Sequence, residues 1–364
     1  MGLSVTHLKL RNFRSYDSFE LMPDPHLTVI VGPNAVGKTN IIEALQLLTA
    51  AESFRRPQWI ETIRWGAEET SVALTAEGDG RLLETSVEIG IAGKREYRVN
   101  GKPRRRIADI SGILPCVLFT PEDLRLVKDS AERRRSALDS LGVQLSPSYR
   151  SLKGEYERLV RQRNAQLRAP SMNRDVFATV TDRTILVGAS FMAARIRLFN
   201  RINLKLSELY GTLSSGETLL SQYLPSWEAA AGDSDAEGEM EHNLRITADL
   251  RHDEEVARGT TLFGPHRDDV LFEINGKGAR AFSSQGQQRT IALAWKLAEV
   301  FVVKDISGQA PLLLLDDVMS ELDENRRHSL ALSVGEAAQT VITTANIGYF
   351  DQALIDRAKV VTLP

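Results

Sequence analysis

Hydrophobic residues follow two spacings in the N-terminal part of the chain, one typical of strands and one typical of a helix. Leu27–Val31 is an unbroken apolar run rich in β-branched residues, which is the pattern of a strand buried on both faces. Asn40–Ala51 instead repeats its apolar side chains at helical spacing. Val72–Thr75, Leu83–Ile91 and Arg95–Val99 are strand-like segments and predict an antiparallel meander.

The spacing becomes helical from about Pro121. Tyr149–Leu167 and Thr184–Leu209 predict long amphipathic helices with arginine on their outer faces. Strand spacing returns at Val270–Ile274, and a helix is predicted over Gln287–Lys304. The remaining predicted elements are the strands Pro311–Leu315, Val341–Thr344 and Val360–Leu363 and a helix over Glu324–Ser333.

This order of elements predicts an α/β fold that is interrupted by a helical insertion. Residues 1–120 and 262–364 would form one α/β domain from both ends of the chain, and residues 121–261 would form an all-helical arm. Heptad spacing does not persist far enough for a long coiled coil.

Composition and charge exclude several classes of protein. With 45 Lys and Arg against 48 Asp and Glu in 364 residues, the net charge of −3 excludes a uniformly basic nucleic-acid coat. The segment 101–170 is nevertheless locally basic. The single cysteine, Cys116, excludes a disulfide framework. No secretion signal is recognised at the N-terminus, and no apolar run approaches the ~20 residues of a membrane span. We therefore expect a cytoplasmic protein.

The segment after the strand Leu27–Val31 has the pattern of a phosphate-binding loop. GPNAVGKT fits GxxxxGK[ST] between a buried strand and a helix. Backbone N–H groups of such a loop bind phosphate oxygens, lysine reaches the β- and γ-phosphates, and the hydroxyl binds Mg²⁺. The predicted ATP-binding residues are Gly32, Pro33, Asn34, Ala35, Val36, Gly37, Lys38 and Thr39, with Lys38 also catalytic and Thr39 also a Mg²⁺ ligand.

A second motif, an acidic one, supplies the rest of the chemistry expected at a nucleotide-binding site. The apolar run Leu312–Leu315 ends in Asp316 and Asp317. In a parallel sheet such a strand end lies at the same edge as the phosphate loop. We expect Asp316 to hold Mg²⁺ and Asp317 to act as the general base that activates water.

Ser284, Gly286 and Gln287 open the predicted helix that precedes this strand, in the sequence SSQGQQ. The sequence resembles the signature motif of ABC-type ATPases, in which a helix N-terminus binds phosphate of the nucleotide held by a second subunit. Ser320–Asp323 resembles the D-loop of the same enzymes. The resemblance implies an ABC-type ATPase head, a homodimer that sandwiches two ATP molecules, and an interface that includes Ser284, Gly286 and Asp323.

Taken together, the motifs resemble the RecF family of bacterial recombination-mediator ATPases over nearly the whole chain. The matching stretches are LKLRNFRSY, GPNAVGKTNIIEAL, SFR, VLFTPEDLRLV, ERRRSALD, GPHRDD, SSQGQQRT and LLLLDDVMSELD. The resemblance implies an ATP-dependent dimeric clamp on double-stranded DNA at single-strand gaps, with slow DNA-stimulated ATP hydrolysis. It also implies cooperation with RecR and RecO in loading RecA.

A clamp of this kind contacts DNA phosphates with arginine and lysine. Arg55 and Arg56 follow the phosphate-loop helix, and Arg104, Arg105 and Arg106 follow an Asn-Gly turn. These five arginines are the DNA-binding candidates. For each group, an ordinary solvated surface is the competing interpretation.

Two other functions stay open at this point. The first is a nucleotide-gated DNA scaffold in which hydrolysis matters little. The second is the ATPase subunit of an ABC transporter, which the inserted arm and the basic central segment disfavour. Thr343 and Thr344 also stand where many ABC enzymes carry histidine.

Overall fold

The computed structural model describes residues 2–55, 58–171, 173–214, 216–227, 236–324, 326–327, 330 and 338–364. The predicted helix over 324–333 lies partly outside these residues. The chain divides into two compact units, a first unit of 1–125 with 289–364 and a second unit of 126–288. The functional assignment of residues 1–120 with 262–364 to a head and 121–261 to an arm stays a prediction.

In chain order, the strands are β1 (Ser4–Phe13), β2 (Tyr16–Leu21), β3 (Leu27–Val31), β4 (Glu69–Gly78), β5 (Arg81–Gly90), β6 (Arg95–Val99), β7 (Lys102–Arg104), β8 (Cys116–Phe119), β9 (Leu219–Leu224), β10 (Asp269–Ile274), β11 (Lys277–Gly278), β12 (Leu312–Asp316), β13 (Thr340–Thr344) and β14 (Lys359–Thr362).

The α-helices are α1 (Lys38–Thr49), α2 (Ala131–Leu145), α3 (Pro147–Leu167), α4 (Arg174–Leu213), α5 (Glu237–Leu250), α6 (His252–Arg258), α7 (Ala279–Phe282), α8 (Gln285–Ser307) and α9 (Gln352–Asp356). Short 3₁₀ helices cover Trp59–Thr62, Ile107–Asp109, Pro121–Arg125, Val318–Glu321 and Ile347–Tyr349.

The first unit contains a five-stranded sheet in the order β14-β3-β13-β12-β8, and every strand pair in it is parallel. Strands β12 and β13 are buried along their whole length, which explains their continuous apolar or Thr/Val/Ile sequences. β13 lies between β3 and β12 and runs parallel to both, so the carboxyl ends of these three strands lie at the same edge of the sheet. That edge carries the phosphate loop and Asp316.

A second sheet of the first unit is antiparallel, in the order β2-β1-β4-β5-β6-β7. It includes the predicted meander and its Asn100-Gly101 turn, where both residues have positive φ. Helix α1 and both sheets share one hydrophobic core, whose members include Leu8, Ile30, Ile41, Leu45, Val72, Val87 and Leu314. The phosphate-loop helix is thus fixed by packing on both sheets.

The second unit is mainly helical, with α4 as its longest element at 40 residues. Alternating burial along the helices confirms the amphipathic pattern of α3 and α4. Over 18 residues α4 is apolar enough to cross a membrane by length and composition, which the sequence analysis did not expect, and half of that window is buried. Core helices of soluble proteins pass the same test.

A three-stranded antiparallel sheet, in the order β11-β10-β9, corrects the expectation that the insertion is purely helical. Strand β9 lies inside the range 121–261 and reads LLSQYL. Its side chains alternate strictly between buried and exposed, with Leu219, Ser221 and Tyr223 inside. This period of two is the strand signal that the sequence analysis overlooked.

Buried arginines tie the second unit together. The guanidinium of Arg195 donates to both carboxylate oxygens of Asp139, at 2.9 and 3.0 Å, and to the Pro265 carbonyl at 2.6 Å. Arg134 donates in the same bidentate way to Asp269, at 2.6 and 3.0 Å. Since Asp139 and Arg134 belong to ERRRSALD while Pro265 and Asp269 belong to GPHRDD, these two motifs hold each other in place.

Candidate nucleotide-binding site

The phosphate-binding segment Gly32–Thr39 leads from β3 into the first turn of α1, and its backbone carbonyls contact the side chain of Lys38. Lys38 is only 6% exposed, and its ammonium donates to the carbonyl oxygens of Gly32 at 2.7 Å and Pro33 at 2.9 Å. Among the described residues, no side chain caps the start of α1, and its first turn holds no acidic residue. Its N-terminal N–H groups and positive dipole end therefore suit an anion.

Gly37 is held in a conformation that other residues rarely adopt. Its φ is 110°, and an added Cβ would lie 2.8 Å from the Ser15 Oγ and 2.9 Å from the Tyr16 Oη. The turn between β1 and β2 thus packs directly against the loop. The Tyr16 hydroxyl is buried and has no hydrogen-bond partner among the described residues. Burial also raises the pKa of Tyr16 to about 12, which keeps this hydroxyl a donor at neutral pH.

An unpartnered donor beside an anion-binding loop fits a phosphate oxygen of the nucleotide. We therefore expect Tyr16→Phe to weaken ATP binding at least about tenfold, the effect of one hydrogen bond to a charged oxygen worth at least about 1.5 kcal/mol. Thermal stability should not fall, because the substitution removes a buried polar atom that has no partner in the described part of the chain. Titration with a fluorescent ATP analogue measures the first effect, and Tyr97→Phe on β6 is the control. An unchanged Kd would show that this hydroxyl does not face the nucleotide.

Asp316 ends β12 and joins the phosphate loop to β13. Its Oδ1 accepts hydrogen bonds from the Thr39 hydroxyl at 3.1 Å and from the Thr343 hydroxyl at 2.7 Å. Burial raises the pKa of Asp316, whereas both hydroxyls and the charge of Arg55 oppose that rise. The structure therefore brings together the two predicted Mg²⁺ ligands, Thr39 and Asp316.

The oxygen atoms of Thr39 and Asp316 are of the type that Mg²⁺ prefers, and this metal is usually held by one or two protein ligands plus phosphates. Among the described residues, no group of three or more His, Cys, Asp or Glu side chains is placed to hold a metal. A cation here would hence depend on these two residues and on phosphate oxygens. A bound cation would also offset the cost of burying the Asp316 carboxylate.

Asp317 adopts the left-handed backbone conformation, with φ 53° and ψ 24°. Its N–H donates to the Thr343 carbonyl at 3.1 Å and to the Thr343 hydroxyl at 3.0 Å. Asp317 Oδ1 is buried without a hydrogen-bond partner among the described residues. Such an oxygen is costly unless something binds it, and a water molecule held for attack on phosphate would do so.

The predicted signature residues lie at the start of α8. The Gln287 N–H donates to the Ser284 hydroxyl at 3.2 Å, and the Ser284 N–H donates to Gln287 Oε1 at 2.7 Å. This reciprocal capping fixes the first turn of a 23-residue helix. The Gln287 amide also donates to Glu217 Oε1 at 2.6 Å. Ser284 is exposed, as contact with a second subunit requires, while Gly286 lies in the first turn.

Asp323, the remaining dimer-interface candidate, follows the 3₁₀ helix Val318–Glu321. Its carboxylate accepts a hydrogen bond from the Arg326 N–H at 3.0 Å and pairs with the Arg326 guanidinium. The side chain is about half exposed. A second subunit could therefore reach this carboxylate.

The DNA-binding candidates lie in separate places of the first unit. Arg55 contacts the phosphate-loop helix through Asn40 and Glu43. Arg104 ends the edge strand β7, and Arg105 and Arg106 follow it in an exposed stretch. Arg56 lies outside the described residues.

Four residues close to the loop were not predicted from the sequence as site residues. Tyr16 and Thr343 contact the loop or the aspartates as described above. Arg14 and Glu43 form an ion pair at 2.7 Å beside α1. Glu43 falls opposite the apolar face of the predicted helix, where a charged side chain is expected at the surface, so the sequence pattern gave no signal for its burial.

Comparison with known proteins assigns the family. The family model of the RecF/RecN/SMC N-terminal domain matches residues 4–363. The DNA replication and repair protein RecF of Synechococcus sp. (strain JA-3-3Ab) is 37% identical over 359 residues, covering 97% of this chain and 94% of the relative. RecF of Halalkalibacterium halodurans is 35% identical, covering 98% and 97%. The chain belongs to the RecF family.

Solved structures agree with this assignment. A structure of the recombination mediator protein RecF-ATPrS in the RecFOR pathway has a TM-score of 0.88 at 28% identity, covering 96% of this chain and 94% of that one. The Smc head domain of Pyrococcus furiosus, at TM-score 0.54 and 17% identity, shares the fold only. The ABC-type ATPase head predicted from the sequence is thereby confirmed. The family assignment also favours a DNA-repair ATPase over a transporter subunit.

Proposed function

We propose that this RecF-family chain is an ATP-dependent dimeric clamp on double-stranded DNA at single-strand gaps. ATP would be held by Gly32–Thr39, and Lys38 would contact its β- and γ-phosphates. Thr39 and Asp316 would hold Mg²⁺, which would neutralise phosphate charge when bound. The observation that carries the proposal is the hydrogen bond from Thr39 to Asp316, which joins the phosphate loop and the acidic strand end in a single chain.

The proposed dimer depends on a second anion-binding helix N-terminus, that of α8. Ser284 is exposed and caps the first turn of α8, which holds Gly286 and Gln287. These three residues would contact the nucleotide of a second copy, and Asp323 would belong to the same interface. Two such composite sites would close the dimer when ATP is bound. Asp317 would then accept a proton from the attacking water, so that slow, DNA-stimulated hydrolysis reopens the clamp.

DNA would be contacted through phosphates by Arg55 and Arg56 and by Arg104–Arg106, without base-specific contacts. The resemblance to proteins of the RecFOR pathway supports RecR and RecO as partners and RecA loading on the exposed strand as the outcome. A cytoplasmic location is part of the same proposal.

Light scattering with and without ATP and a gapped duplex tests the dimer. Ser284→Arg should still bind ATP but should stay monomeric in its presence. The arginine side chain is larger than serine and positively charged, and it would fill the space where the nucleotide of the second subunit docks. Thr212→Arg, an exposed position in the second unit, adds the same charge and should dimerise normally. An ATP-dependent dimer of Ser284→Arg would contradict the shared site.

A further inference from the structure

Glu43 is a buried carboxylate on the phosphate-loop helix that the proposed chemistry does not use. Its side chain is fully buried and accepts hydrogen bonds from two guanidinium groups and one hydroxyl. Arg14 donates to it at 3.0 and 2.7 Å, Arg55 at 3.2 Å, and the Ser53 hydroxyl at 2.7 Å. A buried carboxylate requires one positive partner to offset its desolvation, and here it has two.

The two arginines are held unequally. Arg14 binds Glu43 in the bidentate geometry, is 17% exposed, and also donates to the Glu61 carbonyl at 2.7 Å. Arg55 makes a single, longer hydrogen bond to Glu43 and is 38% exposed. Arg55 can consequently move away from Glu43 while the carboxylate stays paired, because Arg14, the more strongly bound partner, remains in place.

Arg55 is also placed next to the nucleotide site. Its guanidinium donates to Asn40 Oδ1 at 2.8 Å, and Asn40 follows Lys38 and Thr39 directly on α1. The Asn40 amide in turn donates to Ser15 Oγ at 2.9 Å, in the turn that packs against Gly37. An arginine in this position lies close enough to affect Asp316 electrostatically.

We propose that Glu43 is a positioning residue that keeps Arg55 as a releasable phosphate-binding cation, with Arg14 as its permanent counter-charge. In the presence of a phosphate group, Arg55 moves from Glu43 and Asn40 to the phosphate, while Arg14 continues to pair with Glu43. The phosphate belongs either to the nucleotide or to the DNA backbone. The inference rests on the proposed function, since that function supplies both ligands.

Glu43→Gln tests this through the sign of its effect. The variant keeps the shape and one of the two acceptor oxygens but removes the charge that competes for Arg55. We expect binding of the relevant phosphate ligand to tighten about three- to tenfold, and the gain to vanish in Glu43→Gln combined with Arg55→Ala. A fluorescent ATP analogue and a fluorescein-labelled duplex give the two dissociation constants separately. Tightening for ATP alone assigns Arg55 to the nucleotide, and tightening for the duplex alone assigns it to DNA.

Arg14→Lys provides a second, milder variant with the opposite expected sign. Lysine keeps the charge but cannot bind Glu43 in the bidentate geometry, so that Glu43 holds Arg55 more firmly. Binding of the same ligand should weaken about threefold. Unchanged or weaker binding in Glu43→Gln, or unchanged or tighter binding in Arg14→Lys, would overturn the role of Glu43. Failure of the unaltered protein to bind ATP or duplex would instead refute the proposed function.

Discussion

Asp317→Asn should lower ATP hydrolysis at saturating ATP by at least about 100-fold, the smaller end of the range for a lost general base. The amide has the shape of the carboxylate but cannot accept a proton from water. Nucleotide binding should persist, because Lys38, Thr39 and Asp316 are untouched. Phosphate release measures the rate, and titration with a fluorescent ATP analogue measures the affinity.

The same variant separates the ATPase clamp from the nucleotide-gated scaffold. If hydrolysis reopens the clamp, Asp317→Asn should form dimers with ATP that persist longer than those of the unaltered protein, as seen by light scattering over time. Asp305→Asn, an exposed carboxyl on α8, is the matched control and should hydrolyse ATP normally. An equal dimer lifetime in both variants would favour the scaffold, in which turnover plays no part.

The backbone of Asp317 explains why two adjacent aspartates can have different tasks. In a regular strand, neighbouring side chains point to opposite faces. Here the left-handed conformation at Asp317 ends β12, while two hydrogen bonds to Thr343 hold the turn. Asp316 Oδ1 accepts hydrogen bonds from Thr39 and Thr343, whereas Asp317 Oδ1 has no hydrogen-bond partner among the described residues. Backbone conformations of this kind cluster at functional sites.

The elements that carry local signals could be predicted from the sequence. The strand Leu27–Val31 has the bounds predicted for it, and the phosphate-loop helix begins at Lys38, two residues before the predicted start. An apolar run, a glycine-rich turn and a helical repeat each act over a few residues, which is why local spacing suffices to reveal them. The meander with its Asn100-Gly101 turn was predictable for the same reason.

Contacts that depend on strand order were not predictable in this way. Thr343 reaches Asp316 only because β13 lies between β3 and β12, and sequence spacing does not give that order. Tyr16 meets Gly37 because the β1–β2 turn packs against the phosphate loop. The motifs could be recognised in the sequence, whereas the contacts that support them depend on strand order and packing in the folded chain.

The arginines of the second unit illustrate a different limit. The sequence analysis placed arginine on the outer faces of the long helices, because the amphipathic spacing puts the polar residues there. Arg163 and Arg195 are 1% and 2% exposed. Arg163 is paired with Glu255 at 2.6 Å, and Arg195 with Asp139. Their partners lie on distant segments of the chain, so no local pattern distinguishes them from solvated arginines.

The Arg195 network also has electrostatic consequences for its neighbours. Burial raises the pKa of Asp268 to about 6, while the charge of Arg195 and the hydrogen bond from the Tyr223 hydroxyl oppose that rise. Tyr149 donates to Asp139 Oδ1 at 2.6 Å. Arg195 is therefore the positive centre for two buried carboxylates, those of Asp139 and Asp268.

Arg195→Met should destabilise the second unit by roughly 3–5 kcal/mol, because methionine fills a similar volume but leaves Asp139 and Asp268 buried without the charge of Arg195. For a unit of this size the melting temperature should fall by roughly 10 °C, measured by circular dichroism. Arg197→Met, two residues along the same helix and half exposed, is the control and should change stability by less than about 1 kcal/mol. Arg195→Met combined with Asp139→Asn should recover part of the loss, since Asp139 is then neutral and only Asp268 has lost the charge of Arg195. If Arg195→Met were no less stable than Arg197→Met, packing rather than the buried ion pair would hold the ERRRSALD and GPHRDD motifs together.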